Sequence, residues 1–237
     1  TQEYNPYITG AGSEEYFMNL LADAMEPYLR ANTIRFTRNT PDMTAASSIR
    51  QANSGSYDFY LALHSNASTD GSREGTVRGV IAFYYPGSAN GKRAADIFVR
   101  NLKDVYPLPD KVYASATTAL GEVRQPYMPS VLLELGYHDN TADALWVENN
   151  LEAIAANLVL SLTEYFGLPF VVPLTPWRGT VRTQGGPLNL RAAPALNSAV
   201  VAAMPDGAPV TVYGRYQDWY TVGYNGLLGY AFAEYIT

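Results

Sequence analysis

The chain contains no cysteine and only two histidines in 237 residues. The first absence excludes disulfide frameworks, zinc–thiolate sites and iron–sulfur clusters. The second confines any imidazole chemistry to His64 or His138. Charge is scarce too: Asp, Glu, Lys and Arg make up 16% of the residues and leave a net charge of −6. Polyanion binding needs a basic surface that releases counterions, so nucleic acid is excluded as the main partner. The same balance weighs against electrostatic attraction to anionic lipid or anionic wall polymers. No apolar run reaches the roughly 20 residues of a membrane span. No targeting segment is evident either, so an exported protein is expected here in its mature form. What the chain does have is apolar content, 47%, and 19 tyrosines. Tyrosine joins a flat ring to a hydroxyl, which suits carbohydrate and peptide surfaces as well as a β-rich core.

Periodicity divides the chain in two. Ser13 to Arg30 reads as an amphipathic helix with Ser13 as N-cap, acidic residues in its first turn, and Phe17, Leu20, Leu21, Ala24 and Tyr28 along one stripe. A short strand is expected over Thr33 to Thr37, a helix over Ala45 to Asn53, and buried strands over Tyr57 to His64, Arg78 to Tyr85 and Ser130 to Leu135. Helices are expected over Asn90 to Tyr106 and Asn149 to Phe166. This alternation predicts an α/β fold, a mostly parallel sheet flanked by helices, over residues 1–167. Residues 168–176 hold three prolines and read as a linker. From 177 to 237 come short β runs separated by turn signals, Asn225-Gly226 being a strong type I′ hairpin signal, and these predict a small all-β, SH3-like barrel.

Three polar residues sit at the edges of apolar elements in the first domain. Glu15 begins a helix, His64 ends the YDFYLALH run, and Glu134 lies inside SVLLELGY, where a carboxylate is costly unless it is paired, metal-linked or catalytic. Strand C-termini are where sites assemble in open α/β sheets, and a histidine with two carboxylates there suits zinc and a general base. Taken singly, Glu15 reads better as a solvated first-turn residue and His64 as a core histidine. Glu134 alone reads better as a buried partner of Arg124 or Arg38.

Ordered motifs add to this. They are Glu15-Tyr-Phe-Met-Asn19-Leu20, Thr37-Arg38, Arg50-Gln-Ala52-Asn53, His64-Ser-Asn66-Ala67, and Pro129-Ser-Val-Leu-Leu-Glu134-Leu-Gly136-Tyr137-His-Asp-Asn140. Together they resemble the zinc-dependent N-acetylmuramoyl-L-alanine amidases across nearly all of residues 1–167. The resemblance implies hydrolysis of the amide between N-acetylmuramic acid and L-alanine in peptidoglycan. It also implies zinc held by Glu15 and His64, Glu134 as general base and then acid, and Arg124 and Asn66 near the substrate. The family's first ligand, a histidine in a Gly-His-Gly-Gly-like turn, has no counterpart before His64; Gln2 and Glu3 are the nearest candidates, and His138 is the one other histidine.

The C-terminal segment carries Leu188-Asn-Leu190-Arg191-x-x-Pro194, Asp206-Gly207, Asp218-Trp219-Tyr220 and Gly229-Tyr230, and resembles bacterial SH3 domains. That resemblance implies peptidoglycan as ligand, with Trp219, Tyr213, Tyr216 and Tyr224 as a contact surface and a secreted, cell-wall location. Each tyrosine taken alone reads better as core. The alternative function is a wall-binding or regulatory protein with a degenerate amidase fold.

Overall fold

A computed structural model describes residues 5–69 and 73–237. Two units are distinguished: the chain up to Ala24 with Arg38–Tyr165, and Met25–Thr37 with Phe166–Thr237.

In the first unit, helices α1 (Glu14–Ala31, whose first part lies here), α2 (Ala45–Ser54) and α3 (Ala89–Leu102) accompany strands β1 (Tyr60–Asn66), β2 (Val80–Tyr84), β3 (Val112–Ala116) and β4 (Ser130–Tyr137). A one-turn α4 (Gly121–Arg124) precedes β4, and α5 (Thr141–Asn149) and α6 (Leu151–Phe166) follow it. Ser13 caps α1 as its spacing predicts, its hydroxyl accepting the Tyr16 N–H at 3.2 Å. Phe17, Met18 and Leu21 go inward. The sheet order is β1-β4-β2-β3, with β1/β4 and β2/β3 parallel and β4/β2 antiparallel. Parallel pairing sets His64 opposite Glu134. Register partners on neighbouring strands project to the same face, so this pairing alone brings two of the expected site residues side by side.

The turn after β4 explains part of its motif. Gly136 has φ +79°, and a Cβ there would press on the Asp143 side chain at 3.2 Å. Asn140 caps α5, accepting the N–H groups of Ala142 and Asp143 at 3.2 and 3.3 Å. Asp143 is fully buried and accepts from Arg78 Nε (2.8 Å), the Tyr106 hydroxyl (2.7 Å) and the N–H groups of Gly79 and Tyr137 (both 3.1 Å). One carboxylate thus ties the start of β2 and the end of β4 together. Asp143→Ala leaves Arg78 without its anion and is expected to cost about 3–5 kcal/mol. Urea unfolding checks this; a loss under about 1 kcal/mol contradicts it.

One expectation needs correction here. The strand over Thr33–Thr37 does not form. Thr33 takes φ 58°, the Thr33 N–H bonds Arg30 O and the Ile34 N–H bonds Leu29 O, a closure that ends α1 and spends the segment's donors on the helix. The helix expected over 149–166 forms as α6, and α5, which the sequence did not signal, precedes it and ends at Asn149.

The second unit is an antiparallel sheet in the order β5-β8-β9-β10-β6-β7: β5 (Pro173–Thr180), β6 (Leu188–Arg191), β7 (Val200–Met204), β8 (Pro209–Tyr216), β9 (Trp219–Tyr224) and β10 (Leu227–Phe232). Its core holds Val181, Leu190, Met204, Val212, Val222 and Ala231. Asn225 and Gly226 have φ 48° and 78°, the two left-handed residues of the expected hairpin turn. The latter half of the expected linker is strand β5. Its former half is held by buried Asn32, whose amide bonds both the N–H (2.6 Å) and the C=O (2.9 Å) of Val171.

Candidate active site

The site of the first unit forms around His64, near the C-terminal end of β1. Its Nδ1 lies 2.9 Å from Glu14 Oε1 and its Nε2 lies 3.1 Å from Glu122 Oε2. Glu14 Oε1 also accepts the Ser65 N–H at 3.1 Å, and its Oε2 accepts from the Asn5 amide at 2.7 Å. Glu122 Oε1 accepts the Tyr60 hydroxyl at 2.9 Å. Flanked by two carboxylates, the ring is placed to donate from both nitrogens as an imidazolium. Burial opposes that charge, but the Glu122 and Glu14 carboxylates outweigh it and push His64 up to about 10. Burial likewise works against the charged forms of Glu14 and Glu122, and His64 overrides it, holding both below the usual carboxylate range.

Glu134 behaves oppositely. Burial raises its carboxyl from 4.5 to about 7; His64 pulls it down, and the negative Glu14 and Glu122 push it up further. Its Oε2 is buried with no hydrogen-bond partner among the described residues. A buried acceptor without a donor is rare in a folded chain.

The structure gathers His64 and Glu134, but the helix carboxylate that meets His64 is Glu14 rather than the expected Glu15. Adjacent helical residues diverge by about 100°, so seating Glu14 on the ring turns Glu15 away from that line. Glu122 was missed by sequence reasoning. His138 is buried, with Nδ1 facing the Ser65 carbonyl at 3.0 Å and its ring stacked on Tyr7. It is a core histidine. Asn66 is half-buried and its side chain accepts the Ala67 N–H at 2.8 Å, so it shapes the turn after β1. Arg124 ends α4, exposed, two residues past Glu122. Gln2 and Glu3 lie outside the described residues.

Among the described residues, no three His, Asp or Glu side chains are gathered to share one ion. The reason is geometric: Glu14 and Glu122 occupy opposite nitrogens of one ring, so an ion on either nitrogen meets only one of them. Zinc nevertheless fits the Nδ1 side as a two-residue seat. Carboxylate and neutral imidazole are ordinary zinc donors, and ligand atoms around a tetrahedral zinc lie about 3.3 Å apart, close to the 2.9 Å between Glu14 and His64.

In the second unit Trp219 is buried and packs edge-on against Phe232. Its burial leaves it little area to offer as an open contact surface. Tyr213, Tyr216 and Tyr224 are half-buried.

Comparison with known proteins gives this geometry a family. Residues 6–164 match the family described as N-acetylmuramoyl-L-alanine amidase, and residues 186–237 match the bacterial SH3 domain. No curated protein matches the chain. Among solved structures, the catalytic domain of CwlV, an N-acetylmuramoyl-L-alanine amidase from Bacillus (Paenibacillus) polymyxa var. colistinus, is similar with TM-score 0.58 at 19% identity, over 69% of this chain and 90% of that one. An N-acetylmuramoyl-L-alanine amidase from Clostridium difficile 630 gives TM-score 0.59 at 18% identity over 67% and 87%. The CwlD amidase from Clostridioides difficile, solved in complex with the GerS lipoprotein, gives 0.57 at 14% over 69% and 91%. At these identities the solved structures establish the fold. The family match, covering most of the chain, establishes more: this protein belongs to the N-acetylmuramoyl-L-alanine amidase family and is a peptidoglycan amidase with a bacterial SH3 domain behind its catalytic domain.

Proposed function

We propose that the chain is a zinc-dependent amidase acting outside the cell on wall peptidoglycan, with Glu14 and His64 as zinc ligands and Glu134 as its general base. The unpartnered, buried Oε2 of Glu134 beside the His64–Glu14 pair carries this reading. Zinc, when bound, polarises the scissile carbonyl and acidifies a water molecule. The chain's own groups do the rest. Glu134 takes the proton of the attacking water on its free oxygen. It then returns that proton to the alanine nitrogen as the amide bond breaks, a transfer that needs a carboxyl titrating near neutrality. Asn5 and the Ser65 N–H hold Glu14 in place. Arg124 and Asn66 remain the proposed substrate contacts.

The two helix carboxylates are separable by experiment. Glu14→Gln is expected to weaken zinc binding at least 100-fold, measured by chelator competition, while Glu15→Gln changes it less than threefold. The reverse order returns the ligand role to Glu15.

The acid limb of activity follows from Glu134. A base must be ionised, so rate falls as pH drops through its pKa. Without metal that value is about 7. A bound cation stabilises the carboxylate and draws the limb lower. Rates are therefore expected to rise about tenfold per pH unit on the acid side and to level off at or below neutrality; a flat profile from pH 5 to 8 contradicts the assignment.

The barrel is proposed to hold the chain on peptidoglycan through Tyr213, Tyr216 and Tyr224. Full-length protein made inactive by Glu134→Gln is expected to sediment with insoluble peptidoglycan. Tyr216→Ala combined with Tyr224→Ala should lower the bound fraction several-fold. Unchanged sedimentation places the contact elsewhere.

A further inference from the structure

Glu122 has no place in the reading above, yet it is as firmly built into the site as Glu14. It lies on the one-turn helix α4, and only 15% of its side chain is exposed. Both of its oxygens are committed: Oε2 to His64 Nε2 at 3.1 Å and Oε1 to the Tyr60 hydroxyl at 2.9 Å. Tyr60 and His64 stand four residues apart on β1, so they project to the same face and the carboxylate bridges between them. The bridge fixes the ring at two levels, from the strand through Tyr60 and from α4 through Glu122.

We infer that Glu122, braced by Tyr60, is a positioning residue: it takes the Nε2–H of His64 and leaves Nδ1 as the nitrogen that faces zinc beside Glu14. The inference rests on the proposed zinc seat and deepens it by assigning which ring nitrogen is the ligand. The chemistry is that of an outer carboxylate on a ligand imidazole. Accepting the far N–H fixes the tautomer and the ring plane, and makes the free nitrogen a better donor. It matters more here than in a three-residue site, because a seat with two described protein ligands depends heavily on each being held in place. Glu122 touches neither the ion nor the substrate in this arrangement.

The test uses full-length protein labelled with nitrogen-15 at histidine, with the His64 ring assigned from the H64A spectrum. In the wild type, zinc is expected to shift Nδ1 of His64 and to leave Nε2 protonated. E122Q is expected to bind zinc 10- to 100-fold more weakly by chelator competition, with its melting temperature essentially unchanged. E122D should recover part of the affinity, and Y60F should lose less than E122Q. Zinc that shifts Nε2 instead, or E122Q that binds zinc like the wild type, overturns the inference. A wild-type chain that takes up no zinc overturns the zinc reading. The metal-free spectra then decide on Glu122 alone: loss of the exchange-protected Nε2–H signal in E122Q upholds the clamp, and an unchanged signal overturns it.

Discussion

Glu134→Gln is expected to lower muropeptide hydrolysis by at least 1,000-fold while leaving zinc binding within a few-fold of wild type. The amide keeps the shape of the carboxyl but accepts no proton, so it removes the transfer from water and the return to the leaving nitrogen together. The same substitution should stabilise the fold in neutral and alkaline solution. The sign follows from the direction of the shift: the folded carboxyl titrates at about 7, against 4.5 for an ordinary glutamate. Below about pH 4.5 the group is protonated whether the chain is folded or not, and wild type and variant differ little. Above about pH 7 the folded wild type carries a buried charge that burial disfavours, and the variant does not, giving roughly 1–3 kcal/mol in the variant's favour. Denaturation at pH 4.5 and pH 8 reads the difference directly. A variant that is inactive but less stable at pH 8 speaks for a structural role; one that stays active removes Glu134 from the chemistry.

His64→Ala has the second large effect. His64 is the shared partner of both flanking carboxylates, so its removal leaves Glu14 and Glu122 half-buried without the cation that holds them ionised. Zinc uptake at micromolar metal and hydrolysis are both expected to fall below detection. Glu134 should titrate higher than in the wild type, since the one neighbouring group that lowers it is gone. Carboxyl-carbon NMR at Glu134 checks this last point in metal-free protein, and a fall in its titration point contradicts the arrangement. His138→Gln, by contrast, should leave zinc binding intact and act through stability, because His138 is buried against Tyr7 and bonded to Ser65.

Much of this was legible from residues. The helix cap at Ser13, the buried strands carrying His64 and Glu134, and the Asn225-Gly226 hairpin follow from local patterns that tertiary contacts reinforce. Strand β3 was not legible. Val112–Ala116 reads VYASA, where two alanines and a serine give neither a period-2 pattern nor a compact apolar run, and its pairing with β2 alone makes it a strand. Thr33–Thr37 erred the other way. Its β-branched residues favour a strand in isolation, but the helix before it claims the N–H groups of Thr33 and Ile34. At the site, Glu14-Glu15 offered two carboxylates at a helix start, and motif spacing selected the second. Choosing between them needs the phase of the helix against β1, which three-dimensional packing decides. Glu122 left almost no trace. Leu-Gly-Glu-Val-Arg looks like a short surface turn, and nothing local says that it folds back onto a histidine 58 residues earlier. The one usable signal was Tyr60, four residues before His64 on a buried strand, whose hydroxyl requires a partner.

The most direct test of the zinc seat is anomalous scattering from crystals of the full chain grown with zinc. The expected result is one strong peak about 2.0–2.2 Å from both His64 Nδ1 and a Glu14 oxygen, with Glu122 still on Nε2 and the free oxygen of Glu134 facing the open side of the ion. A peak bound through Glu15, a peak on Nε2, or no peak at His64 would contradict it.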